Sequence, residues 1–359
     1  MRRPKIRLER SRRRVFALAV AIAATAAWLG LGGEGAVRYT GVARVELPLP
    51  PAVTSRSPDR AEPMLPPASS DQVTPALPRN ADAFAASSFD PSLIEDGPFG
   101  PLPRIGPDGR RPLLAYARPF NFEDARPKVA VLVLELGLQA ELFDAALTLP
   151  GAIGLQLSPY APDLATLVGQ ARNAGHEVLL GLPMEPADYP ASDPGPHALL
   201  ADSSRADNLQ RLDWVLARAP GYVAVAGGGA GFAGSEHVAA VLDVLARRGL
   251  ALIELGGGQL EGTAAAAGLP YASAAHAIDQ DPSERAIDLA LAGLETEALA
   301  RGSALGVAHD HPVSLERLRL WAAALESKGL VLAPVSAVLI EQSGLARGAS
   351  AWPARRRPA

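Results

Sequence analysis

The stretch Lys128–Leu138, KVAVLVLELGL, decides the fold. It is apolar and rich in β-branched residues, it is too short to span a membrane, and a helical pattern follows it at 139–147. A continuous apolar strand followed by a helix is typical of a parallel sheet whose strands are buried on both faces. In such sheets the chemistry lies at the carboxyl ends of the strands. Glu135 is the charged side chain at that end of this strand, so it is the first candidate functional residue.

Downstream of this strand, apolar strand patterns alternate with amphipathic helical patterns. The predicted strands are 128–135, 153–158, 178–183, 222–226, 251–255, 270–274, 303–308 and 330–334. The predicted helices are 139–147, 161–174, 204–218, 235–248, 282–302 and 314–328, with a shorter alanine-rich helix within 262–268. Six or seven β-then-α units predict a parallel sheet. That number of units suits a closed (β/α) barrel slightly better than an open doubly wound sheet.

The N-terminus has the pattern of a membrane anchor. Residues 1–14 carry eight Arg or Lys and one Glu, and residues 15–33 form a run of 19 without charge. Such a run is about 28 Å long as a helix, close to the hydrocarbon thickness of a bilayer, and the basic flank predicts a cytoplasmic N-terminus. A cleaved signal peptide is the alternative, because Ala24–Thr25–Ala26 has a small-x-small form and 11–16 loosely resembles a twin-arginine signal. We interpret 15–33 as an uncleaved inner-membrane anchor that places the main domain in the periplasm.

A proline-rich segment separates this anchor from the strand pattern. Between residues 41 and 127 lie 17 of the chain's 33 prolines. We predict that 34–101 is a disordered tether, because such a composition buries too little apolar surface to offset its ordering entropy. The main domain is predicted to span 102–345. Its first residues, 102–120, are more apolar than the tether and are predicted to pack as an arm on the rest of the domain. The basic stretch 346–359 is predicted to be a disordered tail.

Charge and cysteine content exclude some classes of function. The whole chain has a net charge of −4, but its first fourteen residues are strongly basic, so the remainder is acidic. An acidic main domain argues against a nucleic-acid partner. The chain contains no cysteine, which excludes disulfides and thiolate metal sites.

Two loops that follow predicted strands carry most of the polar candidates. The loop after the third strand, 182–197, is stiffened by prolines, and a loop that is costly to order is commonly a binding wall. Its candidate substrate-binding residues are Glu185, Asp188, Tyr189 and Asp193. After the seventh strand, His309–Asp310–His311 offers two imidazoles, which bind zinc readily, although one His-x-His pair is a weak signal.

These segments also carry a family resemblance. Six segments carry it: 174–180 (AGHEVLL), 182–186 (LPMEP), 188–190 (DYP), 193–196 (DPGP), 220–223 (PGYV) and 332–336 (LAPVS). They resemble the divergent polysaccharide deacetylases, which are exported relatives of the NodB-type carbohydrate esterases. The resemblance runs from about Leu102 to Leu339. It implies a distorted (β/α) barrel of the polysaccharide-deacetylase type. In active relatives it also implies metal-dependent hydrolysis of N-acetyl groups on sugars.

The resemblance also shows where this chain departs from the family. The first strand of the family ends in an Asp–Asp pair, of which the first activates water as a base and the second binds the metal. The aligned residues here are Leu134 and Glu135. A metal-binding histidine of the family aligns with Gly228, and an aspartate after the fifth strand aligns with Glu254. The histidine after the seventh strand is retained as His309.

These departures predict an impaired catalytic site. A catalytic zinc normally has three protein ligands and an open position. The candidate metal ligands here are Glu135, His309 and His311, so no cofactor is expected beyond weakly bound zinc. The remaining candidates for catalytic acid–base chemistry are Glu135, Glu185 and Asp310.

Three hypotheses of function follow. The first is an envelope protein that binds a cell-wall glycan without hydrolysing it and contacts the membrane through its N-terminal helix. The second is an active metal-dependent carbohydrate N-deacetylase with rearranged ligands. The third is a protein-interaction scaffold, which only the tether favours.

Overall fold

The computed structural model describes residues 89–274, 276–343 and 345. The predicted basic segment 1–14, the predicted anchor 15–33, most of the predicted tether and the C-terminal tail 346–359 lie outside these residues. Within the described ranges, no helix combines the length and the apolar character needed to cross a membrane. The predicted membrane topology stays a prediction.

Each strand and helix predicted downstream of residue 128 has a counterpart in the structure. The strands are β1 (Ile94–Gly97), β2 (Gly100–Pro103), β3 (Lys128–Leu136), β4 (Gly154–Leu157), β5 (Val178–Gly181), β6 (Ala224–Gly227), β7 (Leu252–Leu255), β8 (Tyr271–Ala274), β9 (His276–Ala277), β10 (Ser303–His309) and β11 (Val331–Leu332). The helices are α1 (Pro112–Ala115), α2 (Ala140–Leu147), α3 (Leu164–Asn173), α4 (Arg205–Leu216), α5 (Ala230–Ala233), α6 (Val238–Arg247), α7 (Glu261–Ala266), α8 (Glu284–Arg301), α9 (Pro312–Ala324) and α10 (Val335–Gln342).

Strands β3 to β11 form one parallel sheet that is nearly closed into a barrel. The strand order is β8-β7-β6-β5-β4-β3-β10-β9, and β11 lies beside β3. Residue 275 alone separates β8 from β9, so the two ends of this path are joined by the chain itself. β8 pairs with β7, and β9 pairs with β10. The prediction of a barrel-type sheet is therefore confirmed.

The alternation of side chains along β3 explains its unbroken apolar sequence. Ala130, Leu132 and Leu134 belong to a buried cluster inside the barrel. Val129 and Val131 belong to a second cluster, between the sheet and the surrounding helices. Because both faces of the strand are covered, the stretch 129–134 has no polar residue on either face.

The C-terminal helix α10 was not predicted from the sequence. The predicted strand 330–334 is reduced to the two residues of β11, and the helix begins directly after Pro334. Residues 335–340 are all buried, so no polar stripe marks the helix in the sequence. Because β11 pairs with the first residues of β3, α10 closes the barrel at the end where the strands begin.

The N-terminal arm packs at the same end of the barrel. Leu102, Leu113 and Tyr116 are buried, so the structure has the arm packing that was predicted for 102–120. β1 and β2 form an antiparallel hairpin that begins at Ile94. The folded region therefore starts before the predicted boundary of the tether at residue 101.

A buried carboxylate joins the arm to the C-terminal helix. Glu177, which precedes β5, is 1% exposed. It accepts hydrogen bonds from the backbone N–H of Arg118 at 2.7 Å, from the backbone N–H of Ser336 at 2.9 Å and from the Ser336 hydroxyl. The neighbouring His176 is fully buried and bonds through Nδ1 to the carbonyl of Ile153 at 2.8 Å. Both side chains hold the closed end of the barrel together.

Candidate functional site

The carboxyl ends of β3, β4, β5 and β6 surround a cleft of about 490 Å³. Ligands of parallel barrels bind at this end of the strands. The polar side chains that line the cleft include those of Glu135, Gln156, Ser158, Tyr160 and Asp193, and the apolar ones include those of Leu138, Met184 and Leu255. Apolar walls with a few convergent polar groups are typical of a site for a small organic ligand.

Glu135 is placed in the cleft by an irregularity at the end of β3. The pairing of β3 with β4 shifts between Val133 and Leu136, and Glu135 has a φ of 62°. This left-handed conformation costs on the order of 1–3 kcal/mol in a residue other than glycine, and such residues concentrate at functional sites. The backbone N–H of Glu135 donates a hydrogen bond to the side-chain oxygen of Gln156, which holds the irregularity in place.

Asp279 and His309 form a hydrogen-bonded pair at the end of β10. The Asp279 side chain is 1% exposed, whereas that of His309 is 43% exposed. Asp279 accepts hydrogen bonds from the backbone N–H of His309 at 2.8 Å, from Nδ1 of His309 at 3.1 Å and from the Ser314 hydroxyl at 2.6 Å. The carboxylate therefore fixes the orientation of the imidazole ring. His309 lies opposite Leu134 in the sheet, which brings it within electrostatic reach of Glu135.

These contacts shift the pKa values of the group. The hydrogen bond to Asp279 raises the pKa of His309, burial opposes it, and the negative charges of Asp279, Glu135 and Asp310 add to the rise. Burial alone would raise the pKa of Asp279, but the hydrogen bonds from His309 and Ser314 lower it overall. Burial raises the pKa of Asp310, and Glu135 adds to that shift. The catalytic role predicted for Asp310 stays a prediction.

One group in the described part of the chain can hold a metal ion. Asp279, His309 and His311 each offer a ligand atom, and these atoms lie within 4.8 Å of one another. The predicted set contained Glu135 in place of Asp279. One carboxylate and two imidazoles have the donor chemistry that zinc requires. Because Asp279 already accepts three hydrogen bonds, a metal would compete with them for the carboxylate oxygens.

The resemblance implies a base at position 134 and a metal-binding histidine at position 228, and both positions are closed in the structure. Leu134 is 5% exposed and packs inside the barrel. A Cβ on Gly228 would lie 2.1 Å from the carbonyl oxygen of Leu255, and a Cβ on Gly227 would lie 2.2 Å from that of Leu182. Both contacts are with backbone, so no rotamer relieves them. Neighbouring backbone segments fill the space that a side chain at Gly228 would need.

Of the candidate residues in the predicted binding wall, Asp193 lines the cleft. Its carboxylate accepts a hydrogen bond from the N–H of Gly195 at 2.8 Å. Glu185 accepts a hydrogen bond from the N–H of Ala201 at 2.7 Å, so its carboxylate ties together the two ends of its own loop. Glu185 does not line the cleft.

The other candidate residues make local contacts. Asp188 accepts a hydrogen bond from the Ser192 hydroxyl at 2.6 Å, Tyr189 is 38% exposed, and neither lines the cleft. Glu254 is 3% exposed and accepts hydrogen bonds from the Tyr271 hydroxyl and from two backbone N–H groups of the loop after β7. Glu254 therefore orders that loop.

Comparison with known families decides the classification. A family model described as divergent polysaccharide deacetylase matches residues 131–339, more than half of the chain. The chain belongs to this family. No match was found among curated protein sequences.

This divergent polysaccharide deacetylase is also similar to proteins of known structure. It is 33% identical to the uncharacterized protein ATU2773 from Agrobacterium tumefaciens C58, with a TM-score of 0.64 over 67% of this chain and 99% of that chain. A more distant match is the catalytic domain of peptidoglycan N-acetylglucosamine deacetylase from Eubacterium rectale ATCC 33656. That match has 12% identity and a TM-score of 0.37 over 61% of this chain and 92% of that chain.

Four of the six segments that carry the family resemblance lie in two different parts of the structure. The segments 174–180 and 332–336 contain Glu177 and Ser336, which join each other at the closed end of the barrel. The segments 182–186 and 193–196 contribute to the wall of the cleft. Part of the family pattern in this divergent polysaccharide deacetylase is therefore structural, and part of it shapes the cleft.

Proposed function

We propose that this divergent polysaccharide deacetylase binds an N-acetylated glycan in the cleft and does not hydrolyse it by the metal-dependent route of active relatives. The observation that carries the proposal is the position of the Leu255 carbonyl oxygen, 2.1 Å from where a Cβ on Gly228 would lie, which excludes a histidine ligand at position 228. Leu134 adds to it, because a buried leucine takes the place of the catalytic base. The cleft itself stays open.

The lining of the cleft suits a sugar. The ring carbons of a pyranose form an apolar face, and its hydroxyl and acetamido groups form hydrogen bonds. The cleft offers apolar contacts from Leu138 and Met184 and hydrogen-bonding groups from Glu135, Gln156 and Asp193. Binding of this kind needs no metal.

A substitution that blocks the mouth of the cleft tests the proposal. Leu138 lines the cleft and is 56% exposed. Leu138→Arg should fill the mouth and weaken the binding of chitobiose at least about tenfold, or about 1.4 kcal/mol, as measured by isothermal titration calorimetry. The matched control is Leu320→Arg on α9, where the side chain is 43% exposed and lies outside the cleft. Failure of the wild-type chain to bind chitobiose would contradict the proposal, as would unchanged binding by Leu138→Arg.

A metal-dependent N-deacetylase with rearranged ligands is the second candidate. The group Asp279, His309 and His311 favours it. A metal bound there would act as a Lewis acid on an acyl oxygen or a water molecule. Glu135 and Asp310 are the neighbouring carboxyl groups that would move a proton. This candidate requires a stoichiometric metal, so the metal content of the purified chain separates it from the first.

We propose that the glycan belongs to the cell envelope, with 15–33 as the inner-membrane anchor. The basic flank and the charge-free run of 19 residues support this topology. Alkaline phosphatase fused after Ala359 should be active in cells, and the same fusion without 15–33 should be inactive. An inactive full-length fusion together with an active cytoplasmic reporter would reverse the topology.

A further inference from the structure

A second groove opens beside the cleft, between the β1–β2 hairpin and helix α4. Its volume is about 320 Å³. Phe99, at the tip of the hairpin, forms one wall, and its side chain is 42% exposed. An exposed phenylalanine beside a concave surface is an unused aromatic face, which organic ligands commonly bind.

The opposite wall is a fixed aromatic stack. The ring of His197 lies flat on that of Trp214, with centroids 3.5 Å apart and an angle of 7° between the planes. The guanidinium carbon of Arg218 lies 5.0 Å from the Trp214 centroid. Because these neighbours hold the rings, a ligand that packs on this wall orders few side chains when it binds.

The groove adjoins the cleft. Pro196 lines both, and Tyr160, which lines the cleft, lies 6.4 Å from His197 between ring centroids. The Tyr160 hydroxyl accepts a hydrogen bond from the backbone N–H of His197 at 3.2 Å. Gly195 permits this approach, because its φ is +104° and a Cβ there would lie 2.7 Å from the Tyr160 hydroxyl. Tyr160 and His197 therefore lie where the cleft and the groove meet, and a ligand long enough to pass them would contact both.

Polar side chains of α4 border the aromatic surfaces. Asp207, Gln210 and Arg211 line the groove. One guanidinium nitrogen of Arg211 donates to the carbonyl of Ala198 at 3.2 Å and to the Ser203 hydroxyl at 2.8 Å, which fixes its position. Carboxylate, amide and guanidinium groups are the planar partners that bind pairs of neighbouring hydroxyls, and the aromatic rings match the apolar face of a pyranose.

We propose that this groove is a second saccharide subsite, which holds one sugar of a chain whose neighbouring sugars occupy the cleft. The protein then recognises a glycan by length, and Phe99 is a specificity-determining contact at the far end. The inference rests on the proposed function, because it takes the cleft as the first glycan-binding site.

Binding of short and long sugars by the full-length chain tests the subsite. Calorimetry with chitobiose and chitohexaose should give tighter binding of the longer sugar to the wild type. Phe99→Ala should weaken chitohexaose binding about tenfold and leave chitobiose binding unchanged. The control is Leu320→Ala, since Leu320 is 43% exposed and lies on α9 outside both concavities. Thermal unfolding of each variant shows whether it is folded.

The outcomes separate the subsite from the proposed function. If Phe99→Ala binds both sugars as the wild type does, the subsite is wrong and the glycan cleft stands. If Phe99→Ala weakens the two sugars equally, the hairpin supports the whole cleft and the subsite is again wrong. If the wild type binds neither sugar, both proposals fail.

Discussion

Replacing Gly228 with histidine is expected to destabilise the barrel and to create no zinc site. The new Cβ would lie 2.1 Å from the carbonyl oxygen of Leu255, so the backbones of the β6 and β7 loops would have to separate. Overpacking of a close-packed interior costs about 1–3 kcal/mol, and more where backbone must move. We expect a loss of roughly 3 kcal/mol or more in the free energy of unfolding, measured by urea denaturation. Zinc content after dialysis should equal that of the wild type.

The same replacement at an open glycine is the control. A Cβ on Gly293, in helix α8, meets nothing within 4 Å. Histidine is a better helix former than glycine, so Gly293→His should stay within about 0.5 kcal/mol of the wild type. A Gly228→His chain that is as stable as the wild type, or that gains one zinc, would show that the loops can separate.

Removing the carboxylate of Glu177 is expected to cost at least about 3 kcal/mol of stability. Glu177→Ala leaves the backbone N–H groups of Arg118 and Ser336 and the Ser336 hydroxyl without their acceptor. A buried donor that loses its acceptor costs about 1–3 kcal/mol. The variant should also loosen the closed end of the barrel, because it separates the N-terminal arm from α10. Urea denaturation and limited proteolysis measure the two effects.

Two further variants are controls for the effect of Glu177→Ala. Ser336→Ala removes the hydroxyl and keeps the carboxylate, so its cost should be smaller, about 1 kcal/mol. Glu326→Ala removes a side chain that is 91% exposed and should change the stability by less than about 0.5 kcal/mol. Equal stabilities of Glu177→Ala and Glu326→Ala would overturn the structural role of Glu177.

The barrel was predictable because its strands and helices are periodic. The apolar run of β3 and the alternation that follows it already indicate a parallel sheet. The neighbouring positions of Glu135 and His309 also follow from that sheet, since β3 and β10 pair side by side. Local pattern and topology were sufficient for this part of the site.

The missed features depend on contacts between distant segments. Asp279 follows β9, whose two residues are too few to give a strand pattern. Helix α10 lacks a polar stripe because residues 335–340 are buried by the barrel. The close approach of Gly228 to Leu255 joins two different strand ends, and nothing in a glycine-rich sequence shows which backbone lies against it. These contacts decide what the site can hold, so its chemistry needs the structure.

The central claim is that the cleft binds a glycan without metal-dependent hydrolysis. The most direct measurement is chitohexaose binding by the full-length chain before and after chelation with EDTA, with zinc and released acetate determined on the same samples. We expect the same affinity in both states, zinc well below one per chain and no acetate. One zinc per chain that is lost in His309→Ala, together with acetate release that EDTA abolishes, would contradict it.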